Sequence, residues 1–568
     1  MKITIARTAG FCMGVRRAVD LVLDASNATK EKICTYGPLI HNPQVLEMLE
    51  KKGIPALEKI PEKGEGTVLI RAHGVPPQDK QRLEQAGFKV IDATCPRVIR
   101  VQTIIKKHAD KGYASIIIGD HDHPEVKGLL GYAGKSSVAL STMEELEKLP
   151  PFDRAIIVAQ TTQDTHLFEQ VKIWAKSNHP QYEVFDTICD STEKRQTETR
   201  ELARTSDAVV VVGGRKSGNT RRLVQVARDT GTPAFHIEDV TELDLEQLSR
   251  ATHIAITAGA STPSWIINRT CKTLEEKLGT PRNVLLAKLR PLILVLLKTN
   301  LLLSFGAGSL TYACSTLQGL AHSLSHGATA MLYILSMQVI NNLFTIKSDR
   351  YNNPDRAEFY MANRPWLIAL ALASGTAGLV MAFFTGLPSF FILSIMSILG
   401  LAYNRRILPV LSGGLKRIKD IPGSKTLLIT AAWGTVTCIL PAVSTPTGIQ
   451  IVPALVFSMG IVLARTVFFD VLEMQGDRIT GKESLPILIG ERKALSLINW
   501  VLVVTFLVTL IPSLMGLISP LGFLLMLTPI SLSYAIHLSK KGVFLPGTQL
   551  EIIVESHLII PGILSLFF

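Results

Sequence analysis

The chain has 568 residues, 47% of them hydrophobic and 19% charged, with a formal net charge of +12. Before residue 282, 38 Lys and Arg face 36 acids; after it 21 face 11, so +10 of the excess lies in the second half. That half is also the apolar one, so its basic charge reads as loops at a membrane surface and not as a nucleic-acid interface.

Three of the seven cysteines follow one local pattern: a β-branched run, the thiol, then a helix-forming stretch. Ile3-Thr4-Ile5 precedes Cys12, Val90-Ile91 precedes Cys95-Pro96, and Val184-Phe185 precedes Ile188-Cys189. Each thiol is expected where a strand ends and a helix begins, and the helix N-terminus there lowers a thiolate's pKa. Three such thiolates converging from three α/β lobes could hold three irons of a [4Fe–4S] cluster and leave the fourth iron open. The competing reading is that these are buried small hydrophobes, since spacings of 83 and 94 residues match no short metal motif. Cys34, Cys271, Cys314 and Cys438 lack the setting and read as packing residues.

Polar groups recur at the other strand ends. His73 follows Val68-Leu69-Ile70, and His123 and Glu125 follow Ile116-Ile117-Ile118. Gln160, Thr161 and Thr162 follow Ile156-Ile157-Val158. Ser217, Gly218 and Asn219 follow the valine run 209–212, and Ser261 follows Ile254-Ala255-Ile256. Ligands of open α/β sheets bind at the carboxyl ends of strands. Imidazoles, small hydroxyls, an amide and glycine-freed backbone N–H groups are what a diphosphate needs from its site. His121 reads as solvated loop.

With Gly10-Phe11-Cys12-x-Gly14-Val15, Ile40-His41-Asn42, Ala72-His73-Gly74-Val75, Asp92-Ala93-Thr94-Cys95-Pro96, His123-Pro124-Glu125-Val126, Gln160-Thr161-Thr162 and Ala258-Gly259-Ala260-Ser261, residues 1–281 resemble the IspH/LytB family. These are 4-hydroxy-3-methylbut-2-enyl diphosphate reductases of the methylerythritol phosphate route to isoprenoids. The resemblance implies a three-lobed α/β iron–sulfur reductase domain. It makes Cys12, Cys95 and Cys189 ligands of one [4Fe–4S] cluster, and His41, His73, His123, Ser217, Asn219 and Ser261 diphosphate contacts. It makes Glu125 the proton donor and places Thr161 at the substrate's hydroxyl end, with Gln160 and Thr162 supporting that wall. Gly218 stands where relatives often carry a second serine, and its N–H can take over part of that role. The implied reaction is reductive dehydroxylation to isopentenyl and dimethylallyl diphosphate, with reduced ferredoxin or flavodoxin as electron donor.

The second half contains about nine apolar stretches of membrane-crossing length, near 299–319, 327–346, 365–385, 387–404, 426–443, 450–470, 495–516, 520–538 and 551–568. Loops after the second, fourth, sixth and eighth carry the basic residues, among them Lys347, Arg356, Arg406, Lys416, Lys482 and Lys540. That alternation predicts a multi-pass protein of the inner (cytoplasmic) membrane, with residues 1–281 in the cytoplasm. No signal peptide is expected ahead of the strand-like residues after Met1. Arg282 to Pro291 reads as a short basic approach to the bilayer.

Asp470, Glu473 and Asp477 fall on one helical face, a geometry for magnesium bridging to a diphosphate; the bland alternative is a hydrated helix end. These residues, the spans, Tyr403 and Leu415-Lys416-Arg417 resemble the UbiA superfamily of intramembrane prenyltransferases across 285–568. That family's first signature, Asn-Asp-x-x-Asp-x-x-x-Asp, stands here as Asn341-Asn342-Leu343-Phe344-Thr345-Ile346-Lys347-Ser348-Asp349, and Asn353-Pro354-Asp355-Arg356 matches its usual sequel. Two of three carboxylates are missing, which predicts weakened diphosphate activation and leaves Asp349, with Asp470, Glu473 and Asp477, as the acids that could hold magnesium. The architecture expected is therefore a reductase domain, 1–281, followed by an all-α polytopic membrane domain of about nine transmembrane helices, 282–568. Magnesium, a polyprenyl diphosphate, a lipid-soluble acceptor and membrane lipid are the partners the second resemblance implies. Three functional readings follow: a reductase fused to a prenyltransferase, a reductase anchored by a catalytically silent domain, and a transporter gated by an iron–sulfur sensor. The last explains the cysteines and spans but not the diphosphate-binding groups.

Overall fold

The structure, a computed structural model, describes residues 1–29, 31–278, 284–320, 324–403, 406–410, 414–417, 421, 423–443, 448–482, 484–541 and 547–568. Side chains are described outside 284–290, 406–410 and 414–417. The basic approach at 282–290 and the loop residues Arg405, Arg406, Lys416, Arg417 and Lys419 fall outside these limits. The chain forms two compact units, Met1–Thr280 and Pro281–Phe568.

Twelve strands build the first unit: β1 Lys2–Ile5, β2 Ile33–Tyr36, β3 Ala56–Leu57, β4 Thr67–Ile70, β5 Lys89–Asp92, β6 Ala114–Ile118, β7 Val138–Leu140, β8 Ala155–Ala159, β9 Glu183–Val184, β10 Ala208–Val212, β11 Ala234–Ile237 and β12 His253–Ala258. They pair into three four-stranded sheets ordered β3-β2-β4-β5, β7-β6-β8-β9 and β11-β10-β12-β1, and every pairing is parallel. The three orders are one pattern repeated. In each lobe the first strand lies between the second and third, and the fourth forms an edge. The third lobe takes its fourth strand from the beginning of the chain, where β1 pairs with β12 from Lys2↔His253 to Ile5↔Ile256.

Helices cover these sheets, so the inner strands are mostly apolar and buried, as parallel strands covered on both faces are. Ala-Ile-Ile-Val-Ala of β8 and Ala-Val-Val-Val-Val of β10 are buried at every position. The helices leaving the three edge strands carry the chain from lobe to lobe. They are Met13–Ala28 after β1, Pro96–Ala109 after β5 and Asp190–Thr205 after β9, and their N-cap residues are Cys12, Cys95 and Cys189.

Among the described residues the second unit is helical apart from turns and a short antiparallel pair, Arg406–Val410 with Gly414–Arg417. Each of the nine apolar stretches expected from the sequence lies on helix, but among the described residues six helices are long and apolar enough to cross a membrane. The count becomes seven if Pro291–Lys298 and Leu301–Leu317, bent by 74°, form one broken span. Among the described residues the count of nine is not confirmed. Leu387–Ala402 is too short to qualify, and Thr548–Ser565 carries Glu551 and Glu555 within its apolar run. At the bend, Asn300 adopts a left-handed backbone, φ 62°, and its amide donates to Tyr360 Oη at 2.8 Å. Small residues let helices approach closely, as membrane packing favours: a Cβ on Gly306 would meet Leu558, and one on Gly562 would run into Ser309. Inside this unit Arg465 pairs with buried Glu555 and lies over the Phe469 ring.

Candidate functional site

Equivalent loops of the three lobes converge on one cavity of about 80 Å³. The edge strands contribute the cysteines. First strands contribute His41, His123 and the Ser217–Asn219 turn, while third strands contribute His73, Thr161 and Ser261; all of these line the cavity. Topology thus explains why residues spread over 250 positions meet: each lobe supplies one loop of each type.

At the cysteine end, the Cys12 thiolate position accepts from Val15 N at 3.4 Å. Gly14 lies directly against Cys95, where a Cβ would run into Sγ. The absence of a side chain at 14 lets the helix after Cys12 close onto the second cysteine loop.

At the histidine end the ring centroids are 4.7 Å apart for His41 and His73, 5.6 Å for His41 and His123, and 5.2 Å for His73 and His123. Burial is the main force lowering their pKa values: His41 and His123 fall to about 4 and His73 well below its ordinary value, with neighbouring cations adding to the effect. All three rings are neutral at pH 7, each offering one N–H. His41 Nε2, His73 Nδ1 and both side-chain atoms of Asn219 are buried without a hydrogen-bond partner. Such groups cost free energy unless a ligand meets them. Two helices begin directly after residues that line this end, His123 and Ser217, and helix N-termini favour an anion. Ser261 Oγ donates to the His41 carbonyl at 3.1 Å, tying the first and third lobes. At Gly218 a Cβ would make ordinary contacts with Arg222, Asp120 and His123 at 3.4, 3.4 and 3.6 Å, so the cavity has room there for a small side chain.

Glu125 sits between the two ends, 1% exposed. Its Oε1 accepts from Thr161 N at 2.7 Å and its Oε2 from Thr161 Oγ1 at 3.0 Å. Burial raises its pKa to about 6, against the lowering effect of those hydrogen bonds. Thr161 is held in turn by Thr192, whose Oγ1 donates to its carbonyl at 3.1 Å. Thr162 lines the cavity. Gln160 stands behind it, fully buried, donating to Thr162 Oγ1 at 3.0 Å and accepting from Asp120 N at 3.0 Å.

In the second unit, carboxylate oxygens of Asp470, Glu473 and Asp477 lie within 4.8 Å of one another. Internal cations face each acid. Lys425 Nζ is 2.9 Å from Asp470, Lys482 Nζ is 3.2 Å from Asp477, and Arg356 bridges Asp349 at 3.1 Å and Glu473 at 3.5 Å. Asp477 Oδ2 alone remains buried and unpartnered. Asn342, in a former carboxylate position, donates to Tyr360 Oη at 3.3 Å, and Thr345 donates to Asp349 at 3.4 Å.

Residues 3–275 match the LytB protein family and residues 301–542 the UbiA prenyltransferase family. A 4-hydroxy-3-methylbut-2-enyl diphosphate reductase of Oleidesulfovibrio alaskensis is 44% identical over 280 residues, covering 49% of this chain and 100% of the relative. The chain belongs to the LytB family. Its second half carries a UbiA prenyltransferase family domain. Among solved structures, the E-1-hydroxy-2-methyl-but-2-enyl-4-diphosphate reductase of Plasmodium falciparum aligns at 28% identity and TM-score 0.46, over 48% of this chain and 88% of its own. A UbiA homolog of Aeropyrum pernix aligns at 14% and 0.38, over 47% and 98%.

In the LytB half, sequence reading missed the groups that hold the site in place. Arg195 and Gln196 are buried on the helix after Cys189 together with Thr192 and Thr199. A helical face made of polar residues at three- and four-residue spacing, directly after a site cysteine, is the signal that was available. Arg222, hydrogen-bonded to Asp120 and Gln163, was also missed. In the UbiA half the neutralising roles of Lys425, Lys482 and Arg356 depend on tertiary packing and leave no local signature.

Proposed function

We propose that residues 1–281 reduce 4-hydroxy-3-methylbut-2-enyl diphosphate to isopentenyl and dimethylallyl diphosphate, and that residues 282–568 hold this reductase at the cytoplasmic membrane, facing the cytoplasm. The observation that carries the reading is the two-ended cavity: three cysteines at one end, unpartnered imidazole and amide groups at the other, and a buried acid between them. The donor set fits a [4Fe–4S] cluster held by Cys12, Cys95 and Cys189, since three thiols at helix N-caps from three lobes leave one iron without a protein thiolate. Such a cluster would, when bound, pass the two electrons of the reaction one at a time from the external donor and supply Lewis acidity for breaking an allylic C–O bond.

The protein's own groups do the rest. Neutral His41, His73 and His123, with Ser217, Asn219 and the Gly218 N–H, donate to the diphosphate oxygens and fix the far end of the substrate, and Ser261 joins them when its hydroxyl turns from the His41 carbonyl. Burial raises the pKa of Glu125 to about 6, and a bound diphosphate anion raises it further, so the carboxyl holds a proton to give in the substrate complex. Thr161 orients that carboxyl toward the substrate hydroxyl. One proton leaves with the hydroxyl as water, a second goes to carbon, and two electrons balance the cleavage. Reduced ferredoxin or flavodoxin is the proposed donor. The three imidazoles would also suit a divalent metal; the Ser217 cap and the unpartnered Asn219 amide favour an anion. Anaerobic purification of the full chain decides, with iron and sulfide content and a substrate-reduction assay: stoichiometric cluster and turnover support the reading, and zinc in their place defeats it.

For the membrane half, we infer a UbiA-like site that can hold one magnesium ion on Asp470, Glu473 and Asp477, whose unpartnered Asp477 Oδ2 fits a cation. Asn342 and Thr345 do not fit a second. Transfer of a polyprenyl group to a lipid-soluble acceptor is supported by the surviving triad, and a catalytically silent anchor by Asn342 and Thr345. Assay of the purified chain with prenyl diphosphates and quinone or porphyrin precursors separates the two.

A further inference from the structure

Three arginines tie the cysteine loops into a ring. Arg17, on the helix after Cys12, donates from Nη1 to the Thr94 carbonyl, just before Cys95, at 3.0 Å. Arg97, on the helix after Cys95, pairs with Asp190, just after Cys189, at 2.7 Å. Arg195, on the helix after Cys189, donates from Nη2 to the Gly10 carbonyl, just before Cys12, at 2.6 Å. Each lobe reaches the next in the same sense, as the repeated topology allows.

The three guanidinium groups differ in their surroundings. Arg17 is exposed and Arg97 keeps 38% of its side chain in solvent, whereas Arg195 is 3% exposed. Arg195 also donates to the Ala258 carbonyl at 3.1 Å and to Ser191 Oγ at 3.4 Å, and among the described residues no carboxylate pairs with it. A buried cation held only by carbonyls and a hydroxyl carries an uncompensated desolvation cost. The acidic groups near enough to act on it are the Cys12 and Cys189 thiols and Glu198. Glu198 is already engaged by the Arg7 and Thr8 backbone N–H groups and the Thr8 hydroxyl.

We propose that Arg195 is the internal counter-ion of the iron–sulfur cluster and raises its reduction potential; this rests on reading Cys12, Cys95 and Cys189 as the ligands. An added electron makes the cluster more negative, and a nearby buried cation stabilises that state more than the oxidised one. Arg195 is not among the residues that line the cavity; it is a positioning and charge-balancing residue.

The test uses the full chain, purified anaerobically in detergent, as wild type, R195M and R195K. Iron and sulfide are counted, and the midpoint potential is read by an electron paramagnetic resonance redox titration. R195M should keep the cluster but be more than tenfold less reduced at the wild-type midpoint, while R195K stays within twofold of wild type. Unchanged midpoints in R195M overturn the proposal and leave the ligand assignment standing. Wild type without a cluster overturns both. Should R195M lose its iron, R195K decides: a loaded cluster at the wild-type midpoint supports the charge role, and loss of iron there too reduces Arg195 to a scaffold and overturns it.

Discussion

The two halves keep their polar groups in opposite conditions. In the LytB half, half-buried His41 and His73 and buried Asn219 carry buried, unpartnered side-chain atoms and line a cavity, so folding leaves hydrogen-bonding capacity unspent for a ligand to meet. In the UbiA half, Asp349, Asp470, Glu473 and Asp477 are each met by Arg356, Lys425 or Lys482. A ligand entering the first site gains interactions that the protein has not made for itself. A metal entering the second must compete with ion pairs already formed. That difference, more than the number of site residues present, separates a site prepared for its substrate from one whose activity has to be tested.

Removing a thiol from the first site gives the largest effect. Cys12→Ser, Cys95→Ser and Cys189→Ser should each abolish cluster binding and reduction, while Cys34→Ser, which alters a thiol packed beside the Thr67 carbonyl, should abolish neither. Iron and sulfide analysis checks this, and equal content in wild type and Cys95→Ser would defeat the assignment.

Next is Glu125→Gln, which keeps the shape and the Thr161 Oγ1 contact but has no proton to give at neutral pH. Turnover should fall by about 10²–10⁴-fold with the cluster retained. The wild-type kcat/KM should decline as pH rises through about 6, where free Glu125 loses its proton, and the variant should lack that limb. A normal rate in Glu125→Gln removes this residue from the chemistry.

A smaller effect follows from the imidazoles. Their folded pKa values are depressed, so the stability they permit is complete above the unfolded value of 6.5 and is lost as pH falls through about 4. His41 and His123 should each contribute on the order of 3 kcal/mol to that loss. Protection factors of the β4, β6 and β10 amides, corrected for the intrinsic pH dependence of exchange, should fall over this window, and pyrophosphate should offset the change by supporting imidazolium. Protection factors that are flat between pH 6.5 and 4 would mean that the rings are not held neutral.

Much of the first site was legible because each functional residue sits at a strand end, and β-branched runs such as 116–118 and 209–212 announce those ends locally. The cysteine setting, repeated three times, was the visible trace of the threefold topology. The repeat itself was hidden, because its third copy is closed by β1 from the opposite end of the unit, and no local pattern encodes that pairing. The Arg17, Arg97 and Arg195 ring was hidden for the same reason. In the second half, apolar runs revealed helices but not their crossing lengths: Leu387–Ala402 ends short, and the bend at Asn300 is accompanied by a hydrogen bond to the distant Tyr360. The missing carboxylates at 342 and 345 were plain in the sequence; the cations that occupy the remaining ones were not.

The smallest and most discriminating effect comes from restoring those carboxylates. Tyr360 Oη accepts from both Asn300 and Asn342, which leaves its own proton free to donate to an aspartate at 342. Asn342→Asp is therefore compatible with the existing hydrogen bonds. Thr345→Asp would put a second acid beside Asp349, which Arg356 already neutralises. The pair adds two negative charges around one guanidinium and should create divalent-ion affinity that wild type lacks, read as additional Mn²⁺ bound per chain. If prenyl transfer survives in wild type, Asp470→Ala and Asp477→Ala should abolish it without touching the reductase, and the restored variant should raise it several-fold with steeper magnesium dependence. If wild type and restored variant are both silent over a broad panel of prenyl diphosphates and acceptors while extra Mn²⁺ binds, then charge was not what transfer lacked. The anchored-reductase reading would then stand.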